Sequence, residues 1–170
     1  MNTLSLTQKE GLSGILISWE EVDQAICQKR NWDLVMFFPS FDAEDGKAIQ
    51  RGIKHYDLDE IVEFDSRHVD GEVEFHPECL LPTLEVILGT DERNMFSVPR
   101  VLTTRDLRFI ALMTGEYWCL YGERTMLEAA VGTSLPEFQQ KTTELLTKHY
   151  GEMELLTYQE KLKALRNTVD

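Results

Sequence analysis

His68, His76 and Cys79, with Asp70 and Glu78 close by, are the densest group of metal-ligand side chains in the sequence. A zinc site needs three or four such groups turned toward one ion. The residues around them argue against that. Ile61 to Val69 and Glu72 to His76 alternate apolar and polar side chains on either side of Asp70-Gly71. That dipeptide supplies the positive φ angles of a two-residue hairpin turn. With the turn there, Val69 faces Glu72 and the pairs count outward, so His68 and His76 fall on opposite faces. No metal is expected. Asp42, Glu44 and Asp45 before Gly46 have the composition of a calcium loop. Counting from Asp42, however, puts Ile53 where the terminal Glu should stand.

Nucleophilic catalysis needs a nucleophile, a base and an orienting group brought together. The cysteines are Cys27, Cys79 and Cys119. Cys119 sits in the most apolar stretch of the chain, where a thiol is packing material. Cys27 precedes Lys29 and Arg30, which would lower its pKa. Neither has a histidine nearby in sequence, leaving His55 and His149 to be brought in by the fold. No phosphate-binding glycine loop, H-E-x-x-H or G-x-S-x-G motif occurs. Thirty acidic residues always supply carboxylate pairs, so pairs by themselves identify no glycosidase. No cofactor and no catalytic residue is assigned.

The charge is more informative. The chain has 170 residues and a net charge of −13, which opposes binding to a nucleic-acid backbone. Residues 42–78 hold twelve acids against four bases, a net −8 in under a quarter of the length. The hairpin alternation puts Val62, Phe64, Ser66, His68, Val73 and Phe75 on one face. Glu63, Asp65, Arg67, Glu72, Glu74 and His76 share the other, with Val69 as its apolar exception. Such a field attracts cationic partners and speeds their association. It also keeps a protein soluble, which is the plainer use of surface acids.

These residues must be held by a fold. Ser18-Trp19-Glu20-Glu21 has the capping-box pattern, predicting a first helix with Trp19, Val22 and Ile26 on its apolar face and Arg30 at its end. Trp32 to Phe38 reads as a buried strand ended by Pro39. A short helix is predicted around Lys47–Lys54, interrupted by Gly46 and Gly52. Arg108 to Met113 and Tyr117 to Tyr121 flank Thr114-Gly115 and are apolar on both alternating faces, the pattern of strands covered on both sides. Tyr117, Trp118 and Tyr121 are expected in the core. A short helix is predicted over Pro82 to Leu88 and an extended segment over Val98 to Leu102. Ser134-Leu135-Pro136-Glu137 predicts a helix to about Tyr150, with Phe138, Leu145 and Leu146 inward. Thr157-Tyr158-Gln159-Glu160 predicts a last short helix. The expected fold is α+β, a single domain over 1–170, with a mainly antiparallel sheet and N-terminal and C-terminal helices packed on it.

Sparse cysteines, no leader-like amino terminus and no long apolar run point to a cytoplasmic protein. A small acidic domain without a catalytic motif is expected to bind a basic protein, with neither nucleic acid nor membrane as a direct partner. The most specific form is a bacterial immunity protein or antitoxin that neutralises a basic, nuclease-type toxin. The expected docking residues are Asp57, Asp59, Glu60, Glu63, Asp65, Asp70, Glu72 and Glu74, with Trp19, Phe41 and Tyr56 as possible aromatic anchors. The alternatives are a small cytosolic enzyme without a recognisable motif and an acidic nucleic-acid mimic.

Overall fold

The computed structural model describes residues 14–18, 21–38, 43–57, 61–69, 72–81, 100–104, 106–113 and 117–166. The elements are β1 (Leu16–Ser18), β2 (Glu21–Val22), α1 (Gln24–Lys29), β3 (Trp32–Phe37), α2 (Ala43–His55), β4 (Ile61–Val69) and β5 (Glu72–Leu81). They continue with β6 (Arg100–Thr103), β7 (Phe109–Met113), β8 (Trp118–Glu123), α3 (Arg124–Val131), α4 (Leu135–His149) and α5 (Glu152–Arg166). β1 and β2 pair with each other, and the other strands form one sheet in the order β3-β8-β7-β6-β4-β5. Every neighbour pair in it is antiparallel. The fold is α+β.

The double apolar pattern of β7 and β8 has the expected consequence. Ile110, Leu112, Cys119 and Tyr121 join Leu34, Met36 and Val101 in one core, which also contains Cys27 of α1 and Tyr158 of α5. The intervening residues Phe109, Ala111, Trp118 and Leu120 join Val35 and Leu102 in a second core on the opposite face, closed by Ile49 and Ile53 of α2 and Met126, Leu127 and Ala130 of α3. Trp118 and Tyr121 are buried, and Tyr117 is half-buried against the first core. Phe37, paired with Trp118 across the strands, stacks on it with ring centroids 4.0 Å apart. Such a contact adds about 0.5–1.5 kcal/mol beyond the buried area.

Helix α4 does something no local pattern announces. Its first residue, Leu135, packs in the second core and Leu146 in the first. The helix therefore carries the chain from one face of the sheet to the other, contacting β3 on the way. β3 is the outer strand on that side. Leu34, Val35 and Met36 are nonetheless at most 1% exposed, backbone included. This edge is sealed, which is one of the ways proteins keep a sheet from recruiting further strands.

Several boundaries differ from expectation for identifiable reasons. The first helix starts at Gln24, because Asp23 rather than Ser18 caps it: Asp23 Oδ1 accepts from the amide of Ala25 at 2.8 Å. Glu21 and Val22 lie in β2. α2 runs unbroken from Ala43 to His55, with Gly52 accommodating a neighbour rather than breaking the helix. A Cβ on Gly52 would stand 2.8 Å from Met126 Sδ, and one on Gly122 would stand 2.5 Å from Met126 Cε. Two glycines thus make the slot in which the Met126 thioether lies. The last helix starts at Glu152, and Thr157, in its interior, donates to the Met153 carbonyl. The capping box at Ser134 does not form. Glu137 instead accepts from Thr133 and Lys141, and the amide of Leu135 donates to Glu128 Oε1 at 3.0 Å. Leu145 is 41% exposed rather than inward-facing. Helix α3 has no counterpart in the sequence reading, and residues 82–88 lie outside the described part.

Candidate functional site

The acidic segment is built around the β4–β5 hairpin. Its register is the expected one: Val69 pairs with Glu72, His68 with Val73, Arg67 with Glu74, Ser66 with Phe75 and Asp65 with His76. The ladder then departs from a simple count. Phe64 pairs with Pro77 but Glu63 pairs with Cys79, so Glu78 is an extra residue. Pro77 has no N–H to give the ladder, and bulges and sheet edges are where strands tolerate proline. Beyond the bulge the strand continues to Leu81, five residues further than the alternating pattern implied.

β6 pairs with β4 only over Val62–Asp65. Ser66 to Val69 therefore pair with β5 alone among the described residues, and this two-stranded ribbon runs on past β6 by about 13 Å at roughly 3.3 Å per residue.

The register disperses part of the negative field. Asp65 has Arg100 of β6 opposite it on one side and His76 on the other, while Glu74 is opposite Arg67. Opposite charges at such positions offset one another. Glu63, between Leu102 and Cys79, and Glu72, opposite Val69, have no basic residue directly across the ladder. The expected docking residues are also strung out rather than gathered. Asp57 follows α2 near the start of β4, and β4 then covers roughly 27 Å before Glu72 is reached, at about 3.3 Å per residue. Asp57 is exposed, with a left-handed backbone (φ 54°), and its amide donates a hydrogen bond to the Lys54 carbonyl at 3.0 Å. Asp59, Glu60 and Asp70 lie outside the described residues, as do the side chains of Glu63, Asp65, Glu72 and Glu74. The ligand roles weighed for His68, His76 and Cys79 involve side chains outside the described part as well.

The nucleophile candidates are answered more directly. Cys27 is buried, and its thiol is pushed up to about 12 by desolvation first and by Asp23 second, outweighing the opposing effect of Arg30. Arg30 does pull the thiol down in the expected direction, but burial and Asp23 outweigh it. Burial also pushes Cys119 up to about 12, despite the nearby Lys161. His55 and His149 are exposed at the ends of α2 and α4. Among the described residues no group of three or more His, Cys, Asp or Glu side chains could hold a metal ion. No described helix is long and apolar enough to cross a membrane.

One polar cluster was not anticipated. At the β6–β7 turn, Thr104 Oγ1 accepts from the amide of Arg108 at 2.8 Å, and Arg108 pairs with Asp106 at 2.5 Å. Burial alone would raise the Asp106 carboxyl, but hydrogen bonds from Thr104 and Arg108 hold it below its ordinary value. The Arg108 guanidinium lies 5.1 Å from the centre of the Tyr56 ring. Tyr56 is half-buried, and desolvation followed by the charge of Glu123 pushes its phenol up to about 12. Arg30 donates to the carbonyl of Leu107 at 2.5 Å and lies 4.9 Å over Trp32. That bond ties down a non-glycine residue with φ 56°. These contacts tie the β6–β7 turn to α1, to the end of α2 and to β3. Trp19 and Phe41 lie outside the described residues.

No family model matches the chain, and comparison with curated proteins and with solved structures found no significant match.

Proposed function

We propose that the chain is a protein-binding inhibitor whose partner is basic, and that its most specific form is a bacterial immunity protein or antitoxin acting on a nuclease-type toxin. The observation that supports this reading is where the acids fall: Glu63, Asp65, Glu72 and Glu74 lie on the hairpin at the margin of the sheet opposite the α4-covered edge. A nuclease must present cations to phosphates, so an acidic margin competes for the same surface and gains a fast association rate.

The test is co-expression with the product of the adjacent reading frame in the native genome. Toxicity of the neighbour that this chain alone relieves supports the proposal. A harmless neighbour, or toxicity the chain leaves unchanged, counts against it. With a toxin in hand, reversing Glu63, Asp65, Glu72 and Glu74 together should slow association and flatten its salt dependence. Unchanged kinetics would remove this hairpin as the docking site.

A further inference from the structure

Helix α5 has two distinct faces. Leu155, Leu162 and Leu165 pack with the buried Tyr158 in the first core. Met153, Leu156, Glu160 and Lys163 recur at spacings of three and four and are all exposed, so they form one stripe along the outer side of the helix. Among the described residues the exposed large apolar side chains are Leu145, Met153 and Leu156, at 41%, 74% and 45%, and the last two open this stripe.

Charge decides what can cover it. Residues 135–166 hold five acids and five Lys or Arg, a net of zero in a chain of −13. A basic partner gains no net attraction there. A second copy meets little repulsion, because the acidic segment lies elsewhere. α2 closes the second core on the opposite face of the sheet, and β5 stands five strand spacings from β3, against which α5 packs. At about 4.8 Å per spacing that is roughly 24 Å, well beyond the screening length of about 8 Å at physiological ionic strength. The helix also complements its own reversed copy: Glu152 and Glu154 occupy its first turn, Lys163 and Arg166 its last. Arg166 donates to the neutral Gln139, a bond that does not offset its charge.

We infer that two copies of the chain pair through the outer face of α5, antiparallel about a two-fold axis. Met153 and Leu156 of one copy lie against the aliphatic stems of Lys163 and Glu160 of the other, and Glu152 faces Arg166 of the second copy. Such a self-complementary contact closes at two copies. One pair of four-turn helices covers less than the roughly 1,200–2,000 Å² of a standard interface, so the dimer is weak and reversible.

Sedimentation equilibrium of the full chain at physiological ionic strength, from micromolar to millimolar concentration, tests this. The expected result is a monomer–dimer equilibrium whose Kd rises at least about tenfold in the double variant Met153→Glu with Leu156→Glu. Both residues are exposed, so its circular dichroism and urea midpoint should stay native. Leu145→Glu, on α4 and outside the stripe, should leave the Kd unchanged. The orientation has its own readout. Glu152→Arg and Arg166→Glu should each weaken self-association about threefold to tenfold, because each places like charges at both ends of the pair, whereas an equimolar mixture of the two should dimerise at least as well as the unmodified chain. A chain that stays monomeric throughout, or a dimer indifferent to Met153 and Leu156, overturns the proposal. Single charge variants that dimerise like the unmodified chain overturn the antiparallel pairing.

Discussion

The slot around Met126 permits a sharp quantitative test of the packing between α2, α3 and the sheet. Gly52 lies in the interior of α2, where replacing glycine by alanine ordinarily stabilises a helix by about 1 kcal/mol. Here the new Cβ would meet Met126 Sδ at 2.8 Å and Ala130 Cβ at 3.2 Å. Overpacking of that kind costs about 1–3 kcal/mol, so Gly52→Ala should be neutral or destabilising by up to about 2 kcal/mol. Met126→Ala alone removes a buried side chain and should cost about 2–5 kcal/mol. In the double variant the sulfur is gone, only the tolerable Ala130 contact remains, and Gly52→Ala should recover its helical benefit. The coupling between the two changes is then about 1–3 kcal/mol in favour of the double variant. Urea unfolding followed by tryptophan fluorescence and circular dichroism measures each corner of the cycle, with the denaturant slope as a check on two-state behaviour. Additivity to within about 0.5 kcal/mol, or a stabilising Gly52→Ala in the wild-type background, would refute the slot.

Native protein treated with a thiol reagent near pH 8 should leave Cys27 and Cys119 unmodified, since both are buried with thiols raised to about 12, whereas urea should expose all three cysteines; mass spectrometry of digested protein decides this. Because these thiols ionise near 9 once unfolded, the unfolded state gains by losing protons first, and stability should fall as pH rises from about 9 toward 12, measured by urea midpoints. Arg30→Ala should cost about 1–2 kcal/mol through the lost bond to Leu107 and the lost contact with Trp32. Thermal unfolding that ranks Arg30→Ala with ordinary surface substitutions would contradict that role. Leu146→Ala should cost about 2–5 kcal/mol and Leu145→Ala under about 0.5 kcal/mol, although the two are adjacent. Comparable losses would mean that α4 is rotated from the position described.

The readings that held were those in which one short-range rule dominated. The register expected from the Asp70-Gly71 turn signal holds, with Val69 opposite Glu72, and the double apolar pattern of β7 and β8 identified strands covered on both faces. Asp23 beside an amphipathic stretch was a legible cap for α1, but Ser18 matched a stronger pattern and the tertiary pairing of β1 with β2 prevailed. Helix α3 also left signals: Met126, Leu127 and Ala130 lie inward, and Gly132 at φ 73° ends the helix with its amide bonded to the Glu128 carbonyl. Those signals were obscured by the strongly apolar strand immediately before them.

The sequence by itself therefore determined the class of fold, the central strands, the hairpin turn and the concentration of charge in residues 42–78. These depend on neighbours within a few positions or on composition, both of which can be read along a chain. Only the tertiary structure decided that the β3 edge is sealed, because α4 reaches both cores from residues far apart in sequence from β3. The state of Cys27 was decided at the same level. Local cations argued for a thiolate, but the desolvation created by packing α1 and α5 on the sheet outweighs them. Burial arises from long-range contacts, and an adjacent charge cannot reveal it.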